Sequence, residues 1–388
     1  MIDLGILERL NAPTPAARLE NLGALAPLAA FPPADRRYVN NHIHTAYSFS
    51  PYSPTAAAYA AKAEGLATAG IIDHDSMAGA AEFLDACRLL ALPATIGMEA
   101  RISWADSPFA ARRINNPDQA GVAYMTFQAV PHGNIEALQA FFAPYRAHRH
   151  ARNQRMVENI NRLLAPAGIA LSYAEDVLPL SKASEGGGVT ERHLLYALAL
   201  AMVRKAGPGQ GVVALLESLG VALSGKQRAQ LLDVAYPFYA YDLLGILKGA
   251  FISRIYVDAG PECPSLAQAV ALAKELDCYL CYAYLGDVTA SVTGDKKAQA
   301  FEDGYLDALF AYLWDAGVRA VTYMPARNTR AQLMRVRGLC EQYGMFQVSG
   351  EDINSPRQAF ACKAMEDPLF ENLIENTWAL IRHEAGQA

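Results

Sequence analysis

The clearest chemical feature of the sequence is the histidine pair in Asn41-His42-Ile43-His44. Residues 38–43 are predicted to form a short strand, and side chains two positions apart on a strand point to the same face. His42 and His44 would therefore present two imidazoles side by side, which is half of a metal site. An isolated pair with this spacing is more often an ordinary surface pair, so it indicates a metal only together with further ligands.

Further ligand types stand where other apolar runs end. Asp73 and His74 follow one such run, Glu99 follows the next, and Asp352 and Asn354 follow a late one. The carboxyl-terminal ends of strands carry the active site in α/β barrels, so these side chains are expected to meet. Each of these polar residues, taken alone, is typical of a loop or a helix cap. Together they favour a metal site.

Two other residue classes could contact a substrate or transfer a proton. Guanidinium groups match phosphate geometry, although surface salt bridging is the common alternative for any one arginine. The candidate substrate-binding residues are Arg101, Arg192, Arg327 and Arg357. His74 and His193 are the candidate general acid or base. The alternative for either histidine is a buried, hydrogen-bonded side chain.

The elements that must position these residues alternate between strand and helix. Residues 38–133 are predicted to form strand–helix units, and the alternation resumes over residues 251–388, beginning with a strand at 251–257. Residues 134–250 are predicted to be mostly helical, and residues 1–37 form a helical extension. The sequence therefore predicts a barrel-like α/β scaffold that is split by a helical insertion or cap.

One helix of the predicted insertion carries an arginine-rich face. At helical spacing, the basic side chains fall on one side of the helix, a pattern most typical of a solvated surface. These residues are Arg146, Arg149, Arg152 and Arg155.

Composition excludes several classes of protein. The chain has 388 residues, of which 52% are hydrophobic, so it can bury a large core. A net charge of −6 argues against nonspecific nucleic-acid or membrane binding. Six cysteines are too few for a disulfide scaffold, and neither a signal peptide nor a long apolar segment stands out. A soluble, cytoplasmic protein is expected, with its oligomeric state left open.

The motifs together resemble the PHP (polymerase and histidinol phosphatase) superfamily of metal-dependent phosphoesterases. The resemblance implies a distorted seven-stranded β/α barrel, similar to a TIM barrel, with a helical insertion. It rests on a set of segments in the family order: His42-Ile43-His44-Thr45, Ile72-Asp73-His74, Gly97-Met98-Glu99, Thr190-Glu191-Arg192-His193 and Gly350-Glu351-Asp352-Ile353-Asn354.

The resemblance also implies which residues hold metal. The family's first metal position corresponds to His42, His44, Glu99 and Asp352, all of which are present. Other ligand positions are replaced, so the resemblance implies one complete site for at least one ion. The replacing residues are Phe49, Tyr124 or Met125, Tyr282 and Asn354. Asp73 and Asn354 are retained as candidate additional ligands.

The expected function is hydrolysis of a small phosphate ester, such as a nucleotide or a sugar phosphate, by metal-activated water. Mixed histidine and carboxylate ligation suits zinc, manganese or iron. Two alternatives remain open. One is a non-catalytic protein of this family that binds a metal and a phosphate ligand. The other is a metal-dependent hydrolase of non-phosphate substrates.

Overall fold

The computed structural model describes residues 2–288 and 300–386, and its central feature is a single sheet of seven strands in sequential order. All neighbouring strands are parallel except that β4 runs antiparallel to both β3 and β5. The strands are β1 (Asp35–Ile43), β2 (Leu66–His74), β3 (Ala94–Ser103), β4 (Val122–Gln128), β5 (Tyr279–Ala283), β6 (Ala320–Tyr323) and β7 (Phe346–Ser349).

The sheet closes almost completely into a barrel where β1 approaches the end of β7. Ile43 forms a parallel bridge with Ile353. The buried side chain of Asn40 reinforces this seam, because its Oδ1 accepts from the Glu351 amide and its Nδ2 donates to the Glu351 carbonyl, each at 3.0 Å. The predicted seven-stranded α/β barrel is confirmed, and the carboxyl ends of six parallel strands share one mouth.

Asn41 joins β1 to three other elements. Its Nδ2 donates to Thr377 Oγ1 at 2.8 Å and to the Ser349 carbonyl at 3.2 Å, and its Oδ1 accepts from Thr95 Oγ1 at 3.1 Å. Gly70 permits this packing, since a Cβ atom there would lie 2.1 Å from Thr95 Oγ1. A polar side chain therefore ties β1 to β7, β3 and the C-terminal helix.

Replacing Asn41 by alanine is expected to lower the free energy of unfolding by about 3 kcal/mol, because buried partners lose their hydrogen bonds. Asn134→Ala is the control, since this half-buried side chain makes one hydrogen bond to the Leu276 carbonyl. It should cost about 1 kcal/mol or less. Urea denaturation measures both, and equal losses would contradict the role assigned to Asn41.

Helices cover the outside of the barrel. Their apolar faces pack on the strands, and serine or threonine caps begin several of them; Ser53, for example, caps the Ala-rich helix α3 by accepting from the Ala56 amide. These helices are α1 (Leu4–Leu10), α2 (Pro15–Leu25), α3 (Pro54–Ala63), α4 (Ala80–Leu89), and the later helices that surround β5 to β7.

A second group of helices stands between β4 and β5 and has its own hydrophobic core. It follows α5 (Ile135–Phe141), which packs on the barrel core, and comprises α6 (Ala143–Leu164), α7 (Glu191–Ala206), α8 (Gln210–Ser218), α9 (Gly225–Leu232) and α10 (Tyr239–Ile255). The later helices on the barrel are α11 (Leu266–Glu275), α12 (Leu306–Asp315), α13 (Arg330–Tyr343) and α14 (Glu371–Glu384).

The predicted strand at residues 251–257 is wrong. Phe251 and Ile255 belong to the last turns of α10 and pack into the core of the helical group. A short apolar run has no periodicity that separates a strand from a buried helix. The helical group therefore extends past residue 250, where the division into barrel and insertion was predicted; that division otherwise remains a prediction.

The other predicted elements that carry candidate site residues are confirmed, with ends shifted by a few residues. The strands at 38–43, 69–72, 94–97 and 346–349 are present, and residues 1–37 contain two short helices before β1 begins. Across the described ranges, no helix combines the length and the apolar character that crossing a membrane requires.

Candidate metal centre

The candidate ligands stand at the mouth of the barrel on four different elements. His42 lies in β1 and His44 one residue beyond its end, while His74 is the last residue of β2. Glu99 lies within β3, and Asp352 follows β7 by three residues. His42, His44 and Glu99 are buried, whereas the Asp352 side chain is 43% exposed and faces the opening.

These side chains converge. Glu99 Oε2 lies 3.7 Å from Nε2 of both His42 and His44, and 3.1 Å from His74 Nδ1. His44 Nε2 lies 3.4 Å from Asp352 Oδ1. Two overlapping groups have ligand atoms within 4.8 Å of one another: His42 with His44 and Asp352, and His44 with His74 and Glu99.

A buried hydrogen-bond chain orients His44. Its Nδ1 lies 3.1 Å from Ser48 Oγ, and the Ser48 hydroxyl donates to Asp73 Oδ1 at 2.6 Å. Because the Ser48 proton is committed to Asp73, the hydroxyl accepts from His44 Nδ1–H. His44 Nε2, which faces Asp352, is therefore the nitrogen that would bind a metal in place of its proton.

Asp73 supports the site from behind. In addition to Ser48, it accepts from the Thr45 amide at 2.7 Å and from Thr45 Oγ1 at 2.6 Å, so both carboxylate oxygens are engaged. Burial raises the pKa of Asp73, and these hydrogen bonds oppose the shift. The structure therefore places this candidate additional ligand behind His44, where it orients the histidine.

Asn354 likewise holds a ligand. Its Nδ2 donates to Asp352 Oδ1 at 2.6 Å, and Arg192 donates to its backbone carbonyl at 3.3 Å. Burial favours the neutral form of Asp352, but His44, His42 and Arg192 together hold the pKa of this carboxyl well below its ordinary value. Asp352 is therefore an anion aimed at the centre.

The histidines differ in their electrostatic surroundings. Burial disfavours the charged form of His44, yet its hydrogen bond to Asp352 and the charges of Asp352 and Glu99 raise its pKa. Burial, with the charges of His44 and Arg149, lowers the pKa of His74 well below the ordinary value. His74 is therefore neutral near pH 7, as a ligand or a general base must be.

His193 is placed differently from its predicted role as a general acid or base. It is fully buried in the first turn of α7, where its Nδ1 accepts from the Thr190 amide at 3.0 Å and completes a capping box. Burial, with Arg149 and Arg192, lowers its pKa to about 3. Its ring packs edge-on against Phe49. This is the alternative of a buried, hydrogen-bonded histidine.

Arg101 is buried in an ionic cluster rather than presented to the barrel mouth. It donates to Glu191 at 2.8 Å and also to Glu262, and its side chain is 2% exposed. Arg149 and Arg152 of α6 join the same cluster through Glu191. The prediction of a solvated arginine face on α6 is therefore wrong for these two residues.

The other three candidate arginines are not equivalent. Arg357 is committed to Asp242 through two hydrogen bonds of 2.7 Å. Arg192 and Arg327 each donate one bond to a backbone carbonyl, and the charge of each acts on Asp352. Burial lowers the pKa of both guanidinium groups, against the effect of nearby carboxylates. These two arginines therefore flank the centre.

The strand register decides which residue occupies the replaced ligand position on β4, Tyr124 or Met125. Tyr124 pairs with Arg101 on the same face as Glu99, and its ring centroid lies 5.9 Å from that of His74. Met125 points to the opposite face and is fully buried in the core. Of the two residues considered for this position, Tyr124 is the one beside the centre.

The other two aromatic replacements lie away from the ligands. Tyr282 pairs with Met125, so it lies on the outer face of the barrel wall, where its hydroxyl donates to Glu302 at 3.0 Å. Phe49 packs into the core of the helical group, and the Arg192 guanidinium lies 5.2 Å from its ring centroid. A buried hydrogen bond engages Tyr282, and apolar packing engages Phe49.

Sequence reasoning missed the residues that support the ligands. From the sequence, no such role is assigned to Ser48 or Asn40. The one available signal was the run of small polar residues around Asp73 and His44. Hydroxyls next to a strand end often orient a metal-binding histidine.

The donor set fits a divalent transition ion. It combines imidazole nitrogens with carboxylate oxygens, one imidazole is fixed in the tautomer that frees Nε2, and the atoms already converge in a largely buried cleft. His42, His44, Glu99 and Asp352 would hold one ion. His74 lies beside this ion site, with its Nδ1 3.1 Å from Glu99 Oε2.

Comparisons with known proteins agree with this fold. Residues 40–181 match the family model described as the PHP domain. A proposed metal-dependent phosphoesterase from Bifidobacterium adolescentis is 19% identical with a TM-score of 0.54, over 88% of this chain and 98% of that one. A Chromobacterium violaceum amidohydrolase, solved with sulfate and no metal, is 16% identical with a TM-score of 0.53, over 84% and 90%. No curated protein matches the chain.

Proposed function

We propose that this chain, which carries a PHP domain, is a metal-dependent hydrolase whose substrate is a small phosphate ester, such as a nucleotide or a sugar phosphate. The observation that supports the proposal most strongly is the convergence of two overlapping ligand groups that share His44, one with His42 and Asp352 and the other with His74 and Glu99. A divalent ion bound there supplies Lewis acidity, which lowers the pKa of a water and polarises a phosphoryl oxygen.

His74 is the proposed general base. It is neutral, half-buried, and held by Glu99 at 3.1 Å through Nδ1. A neutral imidazole with one nitrogen fixed by a carboxylate can take a proton on the other. Tyr124 covers the far side of its ring and limits the access of bulk water.

Arg192 and Arg327 are the proposed phosphate-binding residues. Both flank Asp352, and each retains donors beyond its single backbone hydrogen bond; within the described residues, Arg192 Nε has no protein partner. We leave out Arg101 and Arg357, whose charges are committed to carboxylates.

Replacing Arg192 by glutamine is expected to raise KM for the phosphate ester about 10- to 100-fold, because a charge-assisted hydrogen bond contributes about 1.5–3 kcal/mol. Arg204→Gln is the matched control on the same helix, since Arg204 is exposed and pairs with Asp176. Steady-state kinetics should show its KM within about twofold of the parent value. Equal KM values for the two variants would remove Arg192 from the site.

The function is tested by an activity screen of protein loaded with zinc, manganese or iron. Phosphate release from at least one phosphomonoester or nucleotide bisphosphate is expected, with loss in His42→Ala. A parallel set of amides tests the alternative that the Chromobacterium relative's name suggests. Amide cleavage without phosphate release would replace the proposed substrate class. A loaded protein inert on both sets would favour a non-catalytic binding protein.

A further inference from the structure

This inference rests on the proposed role of His74 and concerns the residue that follows it. Asp75 has φ of 55°, which lies in the left-handed region that residues other than glycine rarely adopt. Its amide donates to the Glu99 carbonyl at 2.8 Å, so the turn is also joined to β3 at Glu99. The backbone at Asp75 therefore fixes where β2 delivers the His74 side chain.

Two arginines of α6 hold this turn. Arg149 forms a salt bridge with the Asp75 carboxylate, and Arg146 Nη1 donates to the Asp75 carbonyl at 2.7 Å. Both act across the boundary between the helical group and the barrel. An unfavourable backbone conformation persists only where the surroundings over-determine it, and here the two arginines add to the hydrogen bond between the Asp75 amide and the Glu99 carbonyl.

Arg149 is itself held rigidly. Its Nη2 lies 3.2 Å from Glu191, in the buried cluster where three arginines meet three carboxylates. The members are Arg101, Arg149, Arg152, Asp75, Glu191 and Glu262, and all are buried or nearly so. Charges balance in this cluster, so Arg149 is not a free anion-binding residue.

The helical group also contacts His74 from a second direction. The Gly188 amide donates to the Tyr47 carbonyl at 2.7 Å, and a Cβ atom at position 188 would lie 2.4 Å from the His74 carbonyl oxygen. The backbone of His74 is therefore enclosed between the loop that contains Gly188 and the side chains of Arg146 and Arg149 in α6. Movement of α6 would be transmitted to the imidazole that contacts Glu99.

We propose that Arg149 is a positioning residue: by holding Asp75 in its left-handed conformation, it aims the His74 imidazole at Glu99 and the centre. Arg146 assists through the Asp75 carbonyl. The helical group is then part of the active site's construction, although Arg149 itself touches no ligand or substrate. A merely structural role would instead make all buried arginines of the cluster equivalent.

The comparison of Arg149→Gln with Arg152→Gln tests this proposal. Arg152 lies one turn along α6, is equally buried and shares Glu191, but the structure pairs it with Glu191 and Glu262 rather than Asp75. In the metal-free protein, nitrogen-15 NMR of the histidines should show the hydrogen-bonded Nδ1–H of His74, assigned by its loss in His74→Gln. Arg149→Gln should lose this signal, and Arg152→Gln should keep it.

In the loaded enzyme, Arg149→Gln should lower kcat about 10²-fold while KM changes less than about threefold, because a displaced catalytic group affects the chemical step. Arg152→Gln should keep kcat within about threefold. Retention of the signal and of kcat in Arg149→Gln, or equal losses in both variants, would overturn the proposal.

If Arg149→Gln does not fold, a second variant still tests the proposal. Arg146→Gln removes a half-buried side chain whose hydrogen bonds go to backbone carbonyls, so no buried carboxylate is left unpaired. It should weaken the His74 signal and lower kcat in the same direction, and an unchanged signal would count against the proposal. The NMR measurement needs no substrate. A protein without hydrolase activity would therefore contradict the proposed function, but the NMR test of Arg149 would still be valid.

Discussion

His44→Ala is expected to abolish both metal binding and hydrolysis. His44 is the residue shared by both ligand groups, and its Nε2 lies within reach of Asp352 and Glu99. Without the ion, the pKa of the attacking water returns from about 7 towards about 15.7, so kcat/KM should fall by about 10³-fold or more. Metal content by mass spectrometry and steady-state kinetics measure the two effects.

His150→Ala is the control for this substitution. His150 lies in the helical group, where its Nδ1 is 2.6 Å from the Tyr173 hydroxyl. The variant should retain the parent metal content and kcat/KM. A His44→Ala protein that is folded by circular dichroism and still carries the parent amount of metal would show that the ligands have been wrongly assigned.

His74→Gln is expected to lower kcat by about 10²- to 10⁴-fold, the usual contribution of a general base, while KM and the metal content remain near the parent values. The reason is that the ring sits beside the centre with Nδ1 engaged by Glu99 and is neutral near pH 7.

The metal content of His74→Gln distinguishes a general base from a metal ligand at this position. The residue also belongs to one of the two groups that could hold an ion. Loss of one metal equivalent in His74→Gln would make it a ligand and contradict the assignment as a base. Unchanged kcat would remove it from the mechanism altogether. His132→Gln, at an exposed histidine after β4, should change neither quantity.

The candidate ligands could be predicted from the sequence because two local rules apply to them. Period-two alternation places His42 and His44 on one face, and parallel strands bring Glu99 and Asp352 to the same mouth. Apart from the order in which the strands pair, neither rule requires any information about long-range contacts. The barrel itself follows from the resemblance and from the alternation of strands and helices.

The charged support around the ligands could not be predicted in this way. Arg149 and Arg152 look like a solvated helix face because their neutralising carboxylates come from Asp75, Glu191 and Glu262, which are far apart in the chain. Only the fold brings these charges together. An arginine pattern read on its own helix cannot reveal burial of this kind.

The residues at the replaced ligand positions could not be identified without the register of the strands. A shift of one residue moves a side chain to the other face of a sheet, and a gapped comparison cannot resolve such a shift. The register places Tyr124 beside His74 and Tyr282 on the outer face of the wall. Phe251 was misassigned for a related reason, since a short apolar run fits both a strand and a buried helix.

Anomalous diffraction from crystals grown with manganese or zinc tests the central claim most directly. The account predicts a peak at the barrel mouth, about 2.0–2.2 Å from Nε2 of His42 and His44 and from carboxylate oxygens of Glu99 and Asp352. Metal-loaded crystals without a peak among these four side chains, or with the ion bound only elsewhere, would contradict it.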